Sequence, residues 1–285
     1  MPLDLPAVDA ADLPEIQAIL ADRLADPAAS YAPHPGDLAW WFYHQDPRHP
    51  PLESFVMGDA CAVIDRHDGE LDVFHRPGAD PAPALERGLE TIGEQAVVGW
   101  VSPRDADLTG LVGARGFVPD EERDVEFARP VEPMNRRAMP GIEIRPLRGE
   151  EEAPARRAAS HAAFGSTMDP EAHLARYLRF MRSPAYSAER DLVAVTADGS
   201  IASFLIWWPD AMSGIAQLEP VGTHPAYQGR GLATAVFARA LADMRAAGMH
   251  TVRVATPSSR VGAVAYYESV GFSRIDELVW WRAGA

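Results

Sequence analysis

A chain of 285 residues, 47% hydrophobic and 24% charged, has an ordinary globular composition and is too long for one small core, so two domains are expected. With 26 Lys and Arg against 41 Asp and Glu the net charge is −15, which sets net repulsion against a polyphosphate backbone and speaks against nucleic acid as a partner. The single cysteine, Cys61, cannot form an internal bridge, and no Cys/His spacing suits zinc, so the expectation is a reducing cytoplasm and no metal.

In chain order, Met1-Pro2-Leu3-Asp4 lacks the basic and apolar segments of an export signal. Residues 12–25 read as a helix, followed by the aromatic run Trp40-Trp41-Phe42-Tyr43, either a core cluster or the wall of an acceptor pocket. Strands are expected near 55–63 and 71–74, a helix at 83–95 and a strand at 97–101. Gly116-Phe117 then precedes another strand-like run. His34, His44 and His49 lie among prolines and aromatics without ligand spacing and read as structural or surface residues.

The 25 prolines mark boundaries, most clearly between Arg129 and Gly141, where Pro130, Pro133 and Pro140 surround Asn135-Arg136-Arg137 without an apolar period. The division is therefore a domain at 1–130, a linker at 131–141 and a domain at 142–285. Beyond the linker, short β-rich runs alternate with helical ones, the pattern of a mixed α/β (α+β) sheet. Residues 142–147 read as a strand. Residues 150–164 and 170–181 read as helices, the second capped by Asp169 with Pro170 in its first turn.

Strands at 192–196, 201–208 and 215–223 are joined by turn-forming stretches and are expected to run antiparallel. The apolar run at 201–208 is far too short to span a bilayer, so no membrane insertion is expected. A helix at 232–247 ends at Gly248. A strand at 251–255, a short helix at 263–269 and a strand at 274–281 follow. Gly116-Phe117 echoes Gly271-Phe272, which suggests a duplication of long period.

The chemistry-bearing segment is Gln228-Gly229-Arg230-Gly231-Leu232-Ala233, between an expected strand and a long helix. Its glycines allow close backbone approach, Arg230 adds positive charge, and the N–H groups at the helix start can nest an anion. It lacks the Gly-Lys-Ser/Thr of a Walker loop and the Gly-x-Gly-x-x-Gly of a dinucleotide site, which disfavours an ATP- or GTP-hydrolysing reading. The plainer alternative is an ordinary glycine-rich strand-to-helix turn. Upstream, Pro220 cannot donate to a sheet ladder, so this strand either lies at an edge or bulges.

Thr223-His224-Pro225-Ala226-Tyr227-Gln228-Gly229-Arg230-Gly231-Leu232-Ala233 resembles motif A of the GNAT N-acetyltransferases. Ala263-Val264-Ala265-Tyr266-Tyr267-Glu268-Ser269-Val270-Gly271-Phe272 resembles motif B, with Tyr267 at its tyrosine. The resemblance spans about residues 142–281. The first half looks like a degenerate copy, an arrangement similar to tandem GNAT proteins such as mycothiol synthase. The resemblance implies acetyl-CoA as co-substrate, its pyrophosphate on Gln228, Gly229, Arg230, Gly231, Leu232 and Ala233. It also implies that the pantetheine arm lies beside the strand of Glu219, Val221 and Thr223, which would splay from the 251–255 strand. Arg260 stands where the family usually has Asn, and its guanidinium could reach a CoA phosphate or a pantetheine carbonyl.

Transfer to an amine needs a base, because an alkylamine of pKa about 10 is protonated at neutral pH. Glu219 is the expected base and His224 the competitor. The resemblance gives Tyr267 the role of hydrogen-bond donor to the departing thiolate. The first half lacks this chemistry. His75-Arg76-Pro77-Gly78-Ala79-Asp80-Pro81 replaces the anion loop with prolines and a carboxylate, and Val112 takes the tyrosine position. The implied activity is N-acetylation of a primary amine on a small molecule or peptide. The rival is a non-catalytic acyl-CoA sensor or interaction module. The acceptor and oligomeric state stay open.

Overall fold

The fold is given by a computed structural model that describes residues 10–26, 29, 32–46, 48–93, 96–135 and 139–284. Residues 1–4, Gln95, Arg136, Arg137 and Ala285, all used in the sequence reading, lie outside the described residues. Helices α1 (Leu13–Ala25) and α2 (Pro35–Tyr43) precede strands β1 (Glu53–Met57), β2 (Ala60–Asp65) and β3 (Glu70–His75). Then come α3 (Ala82–Ile92), β4 (Val97–Val101), α4 (Ala106–Ala114) and β5 (Phe117–Pro130). After the linker follow β6 (Ile142–Pro146), α5 (Ala153–Phe164), α6 (Pro170–Met181), β7 (Asp191–Thr196), β8 (Ile201–Asp210) and β9 (Ile215–Thr223). The order ends with α7 (Leu232–Ala246), β10 (Thr251–Pro257), α8 (Val261–Ser269) and β11 (Ser273–Ala283).

Three elements differ from the sequence expectation. The run expected as one strand near 55–63 is the hairpin β1/β2, which turns at Gly58 with φ +64°; its apolar residues flank the turn without interruption, which hides the reversal. The aromatic run is the end of helix α2. Helix α4 is not legible in the sequence, because Leu108 and Val112 give it only one buried stripe. It starts at Asp105, whose carboxylate accepts the Leu108 N–H at 3.1 Å.

Contacts group the chain into two compact units. A central unit includes Ala39–Arg48 and Pro130–Val252, and a flanking unit includes Val8–Leu38, His49–Arg129 and Arg253–Ala285. The chain passes between the two units at Leu38/Ala39, Arg48/His49, Arg129/Pro130 and Val252/Arg253, so neither unit is a single consecutive stretch. Apolar alternation tells that a strand is buried on a face, not which strand it pairs with.

In the flanking unit the strand order is β1-β2-β3-β4-β11-β5-β10, β10 belonging to it from Arg253 onward. β3 and β4 are parallel, joined by α3, while β11 runs antiparallel to β4 and to β5, with Val279 opposite Val101 and Leu278 opposite Asp124. Ile64, Leu71, Val98 and Val112, all fully buried, form the core on the α3/α4 side. In the central unit β6, β7, β8 and β9 form an antiparallel run, as their connecting turns imply. Phe180 centres its core: Trp40 and Trp208 meet it edge-on at 4.6 and 5.5 Å. The aromatic run thus serves packing in this unit. Asp191 is buried here, accepting from Arg156 Nε at 3.0 Å and from the Tyr177 hydroxyl. Asp169 caps α6 through the N–H groups of Glu171 and Ala172, both at 3.0 Å.

Candidate active site

Glu219 and the glycine loop lie in the central unit, Arg260 and Tyr267 in the flanking unit. Strand β9 pairs with β8 in regular register up to Leu218, opposite Trp207, and again from Val221, opposite Leu205. Two residues of β9, Glu219 and Pro220, therefore face the single Ile206 of β8, the signature of a β-bulge. This answers the proline: Pro220 sits where the ladder asks for no donor. The Glu219 carbonyl is not left unpaired, because the Trp208 indole N–H donates to it at 3.1 Å. Trp208 itself is only 2% exposed. Past the bulge, Ser203 Oγ lies 2.9 Å from the Thr223 hydroxyl oxygen and donates to the Gly222 carbonyl at 3.0 Å. Gly222 is required by packing, since a Cβ there would fall 2.3 Å from the Phe204 ring.

After β9 a 3-10 turn over Pro225–Tyr227 leads into the loop. Gly229 and Gly231 adopt φ +72° and +77°, and a Cβ at either would meet nothing within 4 Å. The glycines are thus demanded by backbone conformation and leave open space above the chain. The first α7 hydrogen bond runs from Ala235 N–H to the Gly231 carbonyl at 3.1 Å. The N–H groups of Leu232, Ala233 and Thr234 precede it, and the helix dipole adds to their attraction for an anion. These residues fit a pyrophosphate. Arg230 folds back on the loop, donating to the Ala226 carbonyl at 3.0 Å with its guanidinium 5.2 Å from the Tyr227 ring. Gln228 Nε2 donates to the Thr223 carbonyl at 3.4 Å. His224 Nδ1 accepts the Ala226 N–H at 3.2 Å, which commits that lone pair and puts the ring proton on Nε2.

In the flanking unit Tyr267 is 6% exposed, its ring packed against Phe272 and Phe127 at 5.6 and 5.9 Å. Arg260 is the residue before α8, and its charge acts on the Asp124 carboxyl. The loop that parallels the anion site in the first half already holds a carboxylate of its own: Asp80 accepts the Ala82 N–H of α3 at 2.9 Å. Val112 is fully buried in the core. Cys61 is also fully buried, and burial pushes its thiol up to about 12, so it is a neutral packing residue. Among the described residues no group of three or more His, Cys, Asp or Glu is placed to hold a metal ion, and no helix is long and apolar enough to cross a membrane.

Residues 158–272 match the model of the acetyltransferase (GNAT) family. These residues form a GNAT acetyltransferase domain. The whole chain has the fold of solved GNAT proteins. It is similar to a tandem GNAT protein from the clavulanic acid biosynthesis pathway, with 15% identity, 97% of this chain and 96% of that one covered, and a TM-score of 0.68. It is also similar to a GNAT protein from Sphaerobacter thermophilus, with 21% identity, coverage of 99% and 96%, and a TM-score of 0.62. A third, a GNAT-family acetyltransferase from Colwellia psychrerythraea, is 14% identical over 97% and 98% of the two chains with a TM-score of 0.64. No curated protein matches the chain. The fold is thus mixed α/β, with two GNAT-like halves. Its GNAT match runs across the unit boundary at Val252, so the family domain and the compact unit are different divisions of the same chain.

Proposed function

We propose that the protein is an acetyl-CoA-dependent N-acetyltransferase that carries an acetyl group to a primary amine by direct attack in a ternary complex. The observation that supports this most is the bulge at Glu219, four residues before the end of a strand that leads into an open cradle of N–H donors. In this reading Gln228 to Ala233 hold the CoA pyrophosphate, Val221 and Thr223 offer backbone groups to the pantetheine arm, and Arg260 supplies a further cationic contact. Acetyl-CoA supplies an activated acyl group as its thioester. Glu219 accepts the amine proton at its carboxylate, directly or through water, so that a neutral nitrogen attacks. His224 is the poorer base, because its Nδ1 is engaged by the backbone and its Nε2 carries the proton. Tyr267 donates from its hydroxyl to the departing thiolate.

The test is free-thiol release from acetyl-CoA over a panel of primary amines, with calorimetric titration of acetyl-CoA alongside. One site per chain and amine-dependent thiol release are expected. Tight binding without release for any amine would favour the sensor alternative. A stoichiometry near two would mean that the first half also binds CoA.

A further inference from the structure

Helices α5 and α6 of the central unit pack on each other as a hairpin, joined by residues 165–169. Residues equally far from the middle of that loop face one another, which sets His161 against His173 and Arg157 near Arg176. The ring centres of His161 and His173 are 5.6 Å apart. Arg157 and His161 stand one turn apart on α5, and His173 and Arg176 one turn apart on α6, so four basic side chains share one seam. The seam continues to His44, whose Nε2 accepts from Arg176 Nε at 3.0 Å. His44 and His173 are buried, while Arg157, His161 and Arg176 are half-buried and open the seam to solvent.

The groups along the seam lack negative partners. Arg157 makes no hydrogen bond or ion pair among the described residues, and its Nε is buried. His173 is 5% exposed, and its buried Nδ1 has no partner either. Arg176 gives its Nε to the His44 ring rather than to a carboxylate. The charges acting on His173 come from Arg176, His161, Arg157 and Arg156, and those on His44 from Arg176, His173, Arg156 and Arg179, all of them positive. Burial, then these charges, holds His173 down to about 4 and His44 well below the usual imidazole range. The nearby carboxylates are committed elsewhere. Asp46, which acts on Arg176 and Arg179, pairs with Arg48 at 2.6 Å, Asp191 pairs with Arg156, and Asp169 caps α6.

Two independent features therefore coincide: a knot of positive charge inside a chain of net charge −15, and buried nitrogens from both helices with no partner. Buried polar groups and like charges in this state are costly unless a ligand completes them. Arg157 and Arg176 bring two positive charges from opposite helices. His173, in the tautomer protonated at Nδ1, adds a buried N–H donor. A carboxylate is satisfied by one planar guanidinium fork. Donors that come separately from two helices suit a group with more than two acceptor oxygens and two negative charges, which is the chemistry of phosphate.

We propose that the seam between α5 and α6 binds a phosphate group, free or carried as a monoester, with Arg157, Arg176 and His173 as its donors. The seam lies on other elements than the glycine loop, and its occupation needs neither acetyl-CoA nor turnover.

Isothermal titration of the full chain with inorganic phosphate at pH 7 and low salt tests it, in the parent and in Gly231→Val, where the glycine loop no longer competes for the anion. A site that Gly231→Val keeps is expected, one per chain. Arg157→Gln should weaken it at least tenfold, and Arg157→Glu should abolish it. Because Arg157 has no partner to lose, both variants should melt no lower than the parent without phosphate. Phosphate should also move the His173 titration upward from about 4, read by NMR of histidine-labelled protein. Glycerol 3-phosphate binding as tightly as phosphate would mark a monoester as the ligand, and binding of phosphate alone would mark the free ion. No binding heat in Gly231→Val, succinate binding as tightly as phosphate, unchanged affinity in the Arg157 variants, or an unmoved His173 titration would overturn the proposal.

Discussion

At the scale of single residues, the proposed chemistry makes separable demands. Glu219→Gln keeps the size of the side chain and removes the base, so acetyl-CoA affinity should hold while turnover near pH 7 falls about 10²-fold or more. The defect should shrink as pH approaches the pKa of the amine, and steady-state rates from pH 7 to 10 check it. Tyr267→Phe keeps the ring contacts with Phe272 and Phe127. Because a thiol of pKa about 8.5 is already a fair leaving group, the expected turnover loss is smaller, about 10- to 100-fold. His173 carries a different signature. Burial, then the Arg176 charge, holds it down to about 4 from 6.5. As pH falls from about 6.5 toward 4, the unfolded chain takes up this proton before the folded chain does, so stability is lost over that window. Urea unfolding should show that His173→Gln loses less stability than the parent between pH 6.5 and 4.5.

At the scale of elements, the bulge and the loop are where backbone geometry and proposed function meet. Trp208→Phe retains the packing on Phe180 and deletes the donor to the Glu219 carbonyl, at a cost of about 1 kcal/mol in stability by urea unfolding. Gly231→Val forces a branched residue to φ +77° and fills the open space at the start of α7. CoA affinity by calorimetry should fall by about 1–3 kcal/mol. Much of this region was legible beforehand. The interval 215–223 was read as a strand to the residue, Pro220 asked for a bulge or an edge, and the glycine pattern asked for a turn into a helix. The tryptophan that closes the bulge was not legible, because nothing in an apolar run from Ile201 to Trp208 says which indole reaches across to the neighbouring strand. The β1/β2 reversal and α4 were hidden for the same kind of reason, since local hydropathy does not carry a partner.

At the scale of the whole molecule, the compact units are not consecutive stretches: Ala39–Arg48 groups with Pro130–Val252, and Arg253–Ala285 with His49–Arg129. In the central unit Asp191 is fully buried and tied to Arg156 and Tyr177. Asp191→Ala leaves an uncompensated buried guanidinium and should cost about 3–5 kcal/mol by urea unfolding. In the flanking unit β11 lies between β4 and β5. A fragment ending at residue 130 would lack the strand that joins those two, and it should fail to give a cooperative unfolding transition even though it contains almost all of the first half. The same placement runs against the usual order of folding during synthesis, in which the part made first folds first. As the ribosome moves along the message, β4 and β5 emerge early, yet they must keep a strand-wide gap between them while the entire central unit is translated. The half that is made first is completed last, and until β11 arrives β4 and β5 each present an unpaired edge, the kind of surface that pairs with other chains.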